Sequence, residues 1–256
     1  MYNLTRINNN RKALEGAYRF FLKASLLLMI SLTFSSNAFS QASTVKHQAD
    51  YDAKPIRFGY FLGVAFSNYR IKHNQLFLSG ANTTINSITS PMDYGIKMGG
   101  LMNLNTINPK IDVRIIPTVA IYAKKLSVNE DPEIIPSREQ AWFELPVLIR
   151  YKSLRRGNMR MNVFGGMRLG FETNAVNLAR KSKIGKTAGI KSSDLSIEYG
   201  AGMELFRQFF KLSPEIHFSH GIKNLIDPAV GSTSITPISV IDRLNSHAVT
   251  FYLFFE

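Results

Sequence analysis

Residues Met159–Thr173, MRMNVFGGMRLGFET, alternate between two kinds of side chain over their whole length. Met159, Met161, Val163, Met167, Leu169 and Phe171 stand at odd positions. Arg160, Asn162, Arg168 and Glu172 stand at even ones, together with Phe164 and two glycines. A period of two describes a strand whose faces meet different surroundings. The stretch runs to 15 residues, whereas strands of soluble domains usually run about 5–6. A strand tilted across a bilayer needs about 9–11. A long strand with one unbroken apolar face therefore raises the question of whether the rest of the chain repeats it.

It does. The same alternation predicts strands over 55–69, 93–103, 110–124, 141–152, 159–173, 194–206, 209–220 and 247–256. In the first, Ile56, Phe58, Tyr60, Leu62, Val64 and Phe66 share one face, opposite Arg57, Gly59, Gly63, Ala65 and Ser67. Pro117 lies inside the third and removes a ladder donor, which counts mildly against a regular strand there; a bulge is one way the strand can pass it. The connections run long, short, medium, short, long, short, long. Long links at one end and tight turns at the other describe an up-and-down barrel with turns toward the periplasm and loops outside. A lipid-facing residue must be apolar while its neighbour points inward, and closure satisfies every backbone group. A soluble eight-stranded barrel shares the period but inverts the faces. Strand length, charges confined to the glycine-bearing face, and aromatic residues at strand ends favour the membrane. Those aromatics are Tyr69, Tyr94, Trp142, Tyr151, Phe171 and Phe209. The expected fold is an all-β, eight-stranded antiparallel transmembrane barrel of the small OmpA/OmpX type, over 55–256.

The N-terminus reads as an export signal. A basic stretch (Arg6, Arg11, Lys12, Arg19, Lys23) precedes the apolar run ASLLLMISLTF, and small polar residues follow. That order predicts a secretory signal peptide over 1–40, cut after Ser40 or Ala42, then a short periplasmic leader over 41–54. The expected location is the bacterial outer membrane. No segment has the roughly 20 apolar residues of a spanning helix. The chain has no cysteine, which excludes disulfides, thiolate metal sites and a cysteine-linked lipid. Its formal charge is +13, and it falls to +9 without residues 1–40, which hold five basic residues and one acidic. Nucleic-acid binding would need those cations clustered with aromatics on one face. Here they alternate along strands or sit in loops. Membrane lipids, including lipopolysaccharide phosphates, are the expected partners of the loop charges. The most basic loop spans 174–193, with Arg180, Lys181, Lys183, Lys186 and Lys191.

The stretch DAKPIRFGYFLGVAFSNY (52–69) resembles the PorT/SprT family of outer-membrane proteins of the type IX (Por) secretion system. FELPVLIRYKS (143–153), SIEYGAGMELF with FKLSPEIHFSHGIKNL (196–225), and IDRLNSHAVTFYLFFE (241–256) extend the likeness over most of the chain after residue 40. Here ISVIDRLNS, 238–246, departs slightly from the family's pattern at its start. The resemblance implies an eight-stranded barrel without enzymatic activity, required for protein export by that system and for gliding where gliding occurs. Other secretion components are then the implied partners. The alternative is a small barrel for adhesion or membrane integrity. A third reading is an outer-membrane acyltransferase or protease.

The expected interior face collects Arg114, Glu144, Arg150, Arg160, Arg168, Glu198, Glu204 and Glu215, beside Arg57, Lys97, Asp112, Glu172 and His217. Eight strands enclose a space just wide enough for side chains to fill, and buried charges persist when paired and hydrogen-bonded. These residues are expected to form a structural network of paired charges. Arg160 or Arg168 should reach Glu198 or Glu204 on the neighbouring strand. No catalytic, cofactor-binding or metal-binding residues are expected. Gly185-Lys186-Thr187 lacks the upstream glycine of a phosphate loop. His217 and His220 fall on opposite faces of one strand. The loop 221–246 is rich in apolar residues, and Ile241, Asp242, Arg243, Leu244, Asn245 and Ser246 are its candidate partner-facing part.

Overall fold

A computed structural model describes residues 46–78, 86–105, 108, 110–122, 127–129, 140–173, 191–226 and 241–256. The expected signal peptide, most of the basic loop and positions 227–240 lie outside the described residues. The strands are β1 (Ile56–His73), β2 (Ile88–Thr89), β3 (Asp93–Asn105), β4 (Ile111–Ile115), β5 (Thr118–Tyr122), β6 (Ser127–Val128), β7 (Gln140–Lys152), β8 (Met159–Thr173), β9 (Ser193–Phe206), β10 (Lys211–Gly221) and β11 (Ile241–Phe255). β4 and β5 together make one stave. Every stave pairs antiparallel with its sequence neighbour, and β1 pairs with both β3 and β11, which closes a ring of eight. β2 and β6 form a separate two-stranded ribbon.

Pro117 interrupts the third stave without a bulge. Met102 pairs with Ile115 and Gly99 with Thr118, so the register is the same on both sides of the break. The proline ring faces outward, where only its missing N–H affects the ladder. A hydrogen bond from the Ile116 N–H to the Pro146 carbonyl (3.0 Å) and one from Gly100 N–H to the Pro117 carbonyl (3.2 Å) bridge the gap.

The alternation sorts the two faces. On β1, Ile56, Phe58, Tyr60, Leu62, Val64 and Phe66 point outward and are exposed, as are Met159, Met161, Val163, Met167, Leu169 and Phe171 on β8. From Ile56 to Phe66 is about 33 Å along a strand rising about 3.3 Å per residue. Tilted about 40°, that becomes about 25 Å along the barrel axis, the height of the apolar band of an outer-membrane barrel. Tyr94, Tyr151, Phe171 and Phe209 are exposed at strand ends, where a bilayer interface would lie. Tyr69 and Trp142 are buried and do not belong to that belt. Both stand at inward positions of their strands, and parity outweighs nearness to a strand end.

The three chain reversals at one end are tight, and the four at the other are longer. At Gly157 in the β7–β8 turn the backbone takes φ +59°, which glycine adopts without the Cβ penalty. Inside, an apolar layer of Phe61, Leu101, Ile116, Leu148, Phe164, Tyr252 and Phe254 fills the section among the charges. It was not foreseen from the pattern, which marks inward positions as polar or small.

Candidate functional site

Among the described residues, eight cations and eight carboxylates are joined in ion pairs in the barrel interior: Arg57, Lys97, Arg114, Arg150, Lys152, Arg160, Arg168 and Lys211 with Asp52, Asp112, Glu144, Asp194, Glu198, Glu204, Glu215 and Glu256. His217 joins them with both ring nitrogens against carboxylates. Pairing matters because an uncompensated charge in this enclosed space would cost several kcal/mol.

The half nearer the tight turns is built around three carboxylates. Glu204 receives hydrogen bonds from Arg150 (2.8 Å) and Lys211 (2.9 Å) and a short contact from Arg160. Asp112 receives two from Arg150 (2.8 and 2.6 Å) and one from Arg57 (3.1 Å). Glu256, the last residue, meets Lys211 at 2.7 Å and Arg114 at 3.1 Å. Arg114 also donates to Glu215 at 2.9 Å. His217 links that half to the other: Nε2 lies 3.1 Å from Glu215 and Nδ1 2.6 Å from Glu198. Glu198 lies 4.0 Å from Arg168, which reaches Glu144 at 3.4 Å. Lys97 donates to Glu144 at 2.8 Å and Tyr122 donates to it at 2.7 Å. A continuous run of polar contacts thus threads the barrel from Asp52 to Lys97.

The eight residues foreseen for this network, Arg114, Glu144, Arg150, Arg160, Arg168, Glu198, Glu204 and Glu215, are all buried and all in ion pairs. Arg160 meets Glu204 because β8 and β9 place them directly opposite. His217 is inward and His220 outward, paired through Nδ1 with His247 at 2.6 Å. Among the described residues no group of three or more candidate metal ligands occurs.

Sequence reasoning missed Asp52, Lys152, Asp194, Lys211 and Glu256 as members. Parity could have found all but Asp52: Lys152, Asp194 and Lys211 share inward parity with a recognised member of their own strand, and Glu256 is opposite in parity to the outward Phe251 and Leu253. Asp52 carries no such signal. It belongs to the turn Ala49–Ala53, which docks in the tight-turn mouth of the barrel. Asp52 takes two hydrogen bonds from Arg160 (2.9 and 2.8 Å). Tyr51 packs edge-on against Phe206, with ring centroids 5.4 Å apart. Arg57 and Lys211 lie over its ring at 4.5 and 4.4 Å, and its hydroxyl makes a short hydrogen bond to Glu256. Burial, and next the Glu256 carboxylate, push the Tyr51 phenol well above its usual range, so it stays a neutral donor. The described part of the leader, residues 46–54, closes this end.

The opposite mouth is closed by apolar residues. Tyr69, Ile88, Leu225, Ile241 and Leu244 form a buried cluster, with Ile71, Phe77 and Ile226 against it. Ile241–Ser246 is therefore not loop, as the sequence suggested. These residues open β11 and pair with β1, with Asn245 opposite Arg70 and Leu244 opposite Ile71. Ile241, Leu244 and Ser246 are inward and buried, Asp242 and Arg243 are exposed, and Asn245 donates to the carbonyls of Gly221 (3.0 Å) and Lys223 (3.1 Å). The period of two holds from Arg243 onward, and a register shift at Asp242 turns Ile241 inward as well, so the strand is hidden in the sequence both by that shift and by the apolar surroundings of the segment.

A closed ring with an apolar wall, an interior of paired charges and both mouths covered is a membrane-spanning design. Residues 15–227 match the family model described as "Outer membrane protein beta-barrel domain". The chain belongs to that family. It is an outer-membrane barrel, and by the rule for such barrels its tight turns face the periplasm and its long loops the outside. Comparison with curated proteins finds no match. Among solved structures the chain is similar to Neisserial surface protein A, at 7% identity and a TM-score of 0.42, over 78% of this chain and 98% of that one. It is also similar to OprG from Pseudomonas aeruginosa, at 11% and 0.37, over 78% and 91%. A third is Ail, the attachment invasion locus protein of Yersinia pestis, at 9% and 0.35, over 79% and 98%.

Proposed function

We propose that this barrel is a non-enzymatic component of the type IX protein-secretion machinery, needed for export and, where it occurs, gliding. The observation that supports this reading is where the family-like segments fall. Asp52, in the first, ties the leader to Arg160 at the periplasmic mouth. Ile241 and Leu244, in the last, sit in the cluster that covers the extracellular mouth. Family-like segments thus contribute to the cover at each mouth. A barrel filled by ion pairs and covered at both ends suits an assembly or anchoring part, through which cargo does not itself pass. Its proposed partners are other secretion components and the surrounding lipids.

A deletion strain tests this. Loss of cargo release to the medium, restored by the full chain but not by a vector, is the expected result. Normal release from the deletion strain, with the barrel otherwise present in the outer membrane of wild type, would overturn the secretion role and leave the adhesion or membrane-integrity alternative.

A further inference from the structure

The outward face of β1 changes character abruptly. After Phe66 the outward positions are Asn68, Arg70 and Lys72, and on β11 the outward positions after Val249 are His247, Asn245 and Arg243. The register sets them in rows: Phe66 beside Val249, Asn68 beside His247, Arg70 beside Asn245, and Lys72 beside Arg243. The row at His247 is amphipathic, with His220 on the next strand touching both His247 and the Tyr199 hydroxyl (2.9 Å). Such a row belongs at the edge of the hydrocarbon.

Above it, Lys72 and Arg243 stand directly across from each other, and like charges so placed destabilise a sheet. Arg70 adds a third cation one row below. Among the described residues only Asp242 answers them, 3.7 Å from Lys72, with both side chains more than half exposed. No described carboxylate pairs with Arg70 or Arg243. All three cations are exposed on outward positions at the barrel's long-loop end, and Arg243 also donates to the Ile222 carbonyl at 3.4 Å. Arg70 lies four residues past Phe66, about 13 Å along the strand and about 10 Å along the membrane normal. That is headgroup depth on the extracellular side.

We infer that Arg70, Lys72 and Arg243 form a binding site for the phosphate groups of an outer-leaflet lipid headgroup. A phosphate bridging Lys72 and Arg243 would turn the cross-strand repulsion into two charge-assisted contacts, and Arg70 offers a planar fork for a second oxygen pair. A lipid fits better than a protein because the patch begins where the apolar band ends, so an occupant with acyl chains can lie on Phe66, Val249 and Phe251 while its phosphates meet the cations. This site rests on the outer-membrane placement of the barrel and not on its role in secretion.

The test uses the full chain in nanodiscs containing lipid A as a minor component, with bound lipid counted by native mass spectrometry. Wild type should retain lipid A and should not retain its dephosphorylated form. R70Q/K72Q/R243Q should bind about a hundredfold less, since each cation near a lipid surface contributes about a fivefold gain. Arg156→Gln, which removes an exposed cation at the periplasmic turn, should bind as wild type does. Equal retention by wild type and the triple variant would overturn the site, as would indifference to the phosphates. If the triple variant loses its heat-modifiable gel mobility, Arg70→Gln alone decides, and unchanged binding by that variant would count against the site.

Discussion

Glu144 offers the sharpest test of how the interior is balanced. It accepts hydrogen bonds from Lys97 at 2.8 Å and Tyr122 at 2.7 Å and faces Arg168 at 3.4 Å. Arg168 also lies 3.6 Å from Asp194 and 4.0 Å from Glu198, so it keeps carboxylate neighbours if Glu144 is neutralised. Lys97 does not: Glu144 is its only ion-pair partner among the described residues, and both side chains are almost wholly buried. Glu144→Gln therefore strands one buried ammonium. Removing one side of a buried pair costs about 3–5 kcal/mol. The glutamine oxygen still accepts one bond, so the cost should fall near the lower end, about 3 kcal/mol. With a urea dependence of about 2 kcal/mol per molar, the unfolding midpoint in lipid vesicles should drop by about 1.5 M. Trp142, the chain's single tryptophan, is buried beside the site and reports the transition by its emission. Adding Lys97→Met removes the stranded charge and should recover about 1–3 kcal/mol, read as a double-mutant coupling. If the two substitutions simply add, or if Glu144→Gln leaves the midpoint unchanged, the ion pairs do not govern stability as argued.

Two further perturbations follow from the packing. A Cβ at Gly200 would lie 2.0 Å from the Ile216 carbonyl oxygen and 2.7 Å from the Phe164 ring, so Gly200→Ala should greatly reduce the heat-modifiable fraction in a folding assay, whereas Gly165→Ala, with nothing nearer than 3.9 Å, should fold normally. Tyr51→Ala should release the leader from the periplasmic mouth, with faster Asp-N cleavage before Asp52 and little change in the urea midpoint; cleavage at the wild-type rate would mean that Tyr51 does not hold it.

The staves and their faces were legible because a bilayer and a barrel interior impose opposite demands on alternate residues. That is why Arg160 or Arg168 could be expected to reach Glu198 or Glu204 on the neighbouring strand from the alternation alone. Where the demand weakens, legibility fails. Ile241–Ser246 looked like an apolar loop because at the extracellular mouth the inward side chains are apolar too, while the outward Asp242 and Arg243 have left the hydrocarbon. Trp142 and Tyr69 were misplaced because an aromatic residue suits both an interface belt and an inward layer. Asp52 and Tyr51 carry no periodic signal at all: their place is set by tertiary partners, Arg160, Phe206 and Glu256, far away in sequence.

The central claim is that one face of these staves meets lipid while the other encloses a charged, covered interior. The absence of native cysteine permits a direct measurement. Single cysteines at Val64, Val163 and Phe251, and at Ser67, Ser196 and Ser213, would carry spin labels in reconstituted bilayers. The outward set should collide freely with oxygen dissolved in the hydrocarbon and be shielded from a water-soluble nickel complex, while the inward set should be shielded from both. Nickel access at the outward set, or oxygen access at the inward one, would contradict the account.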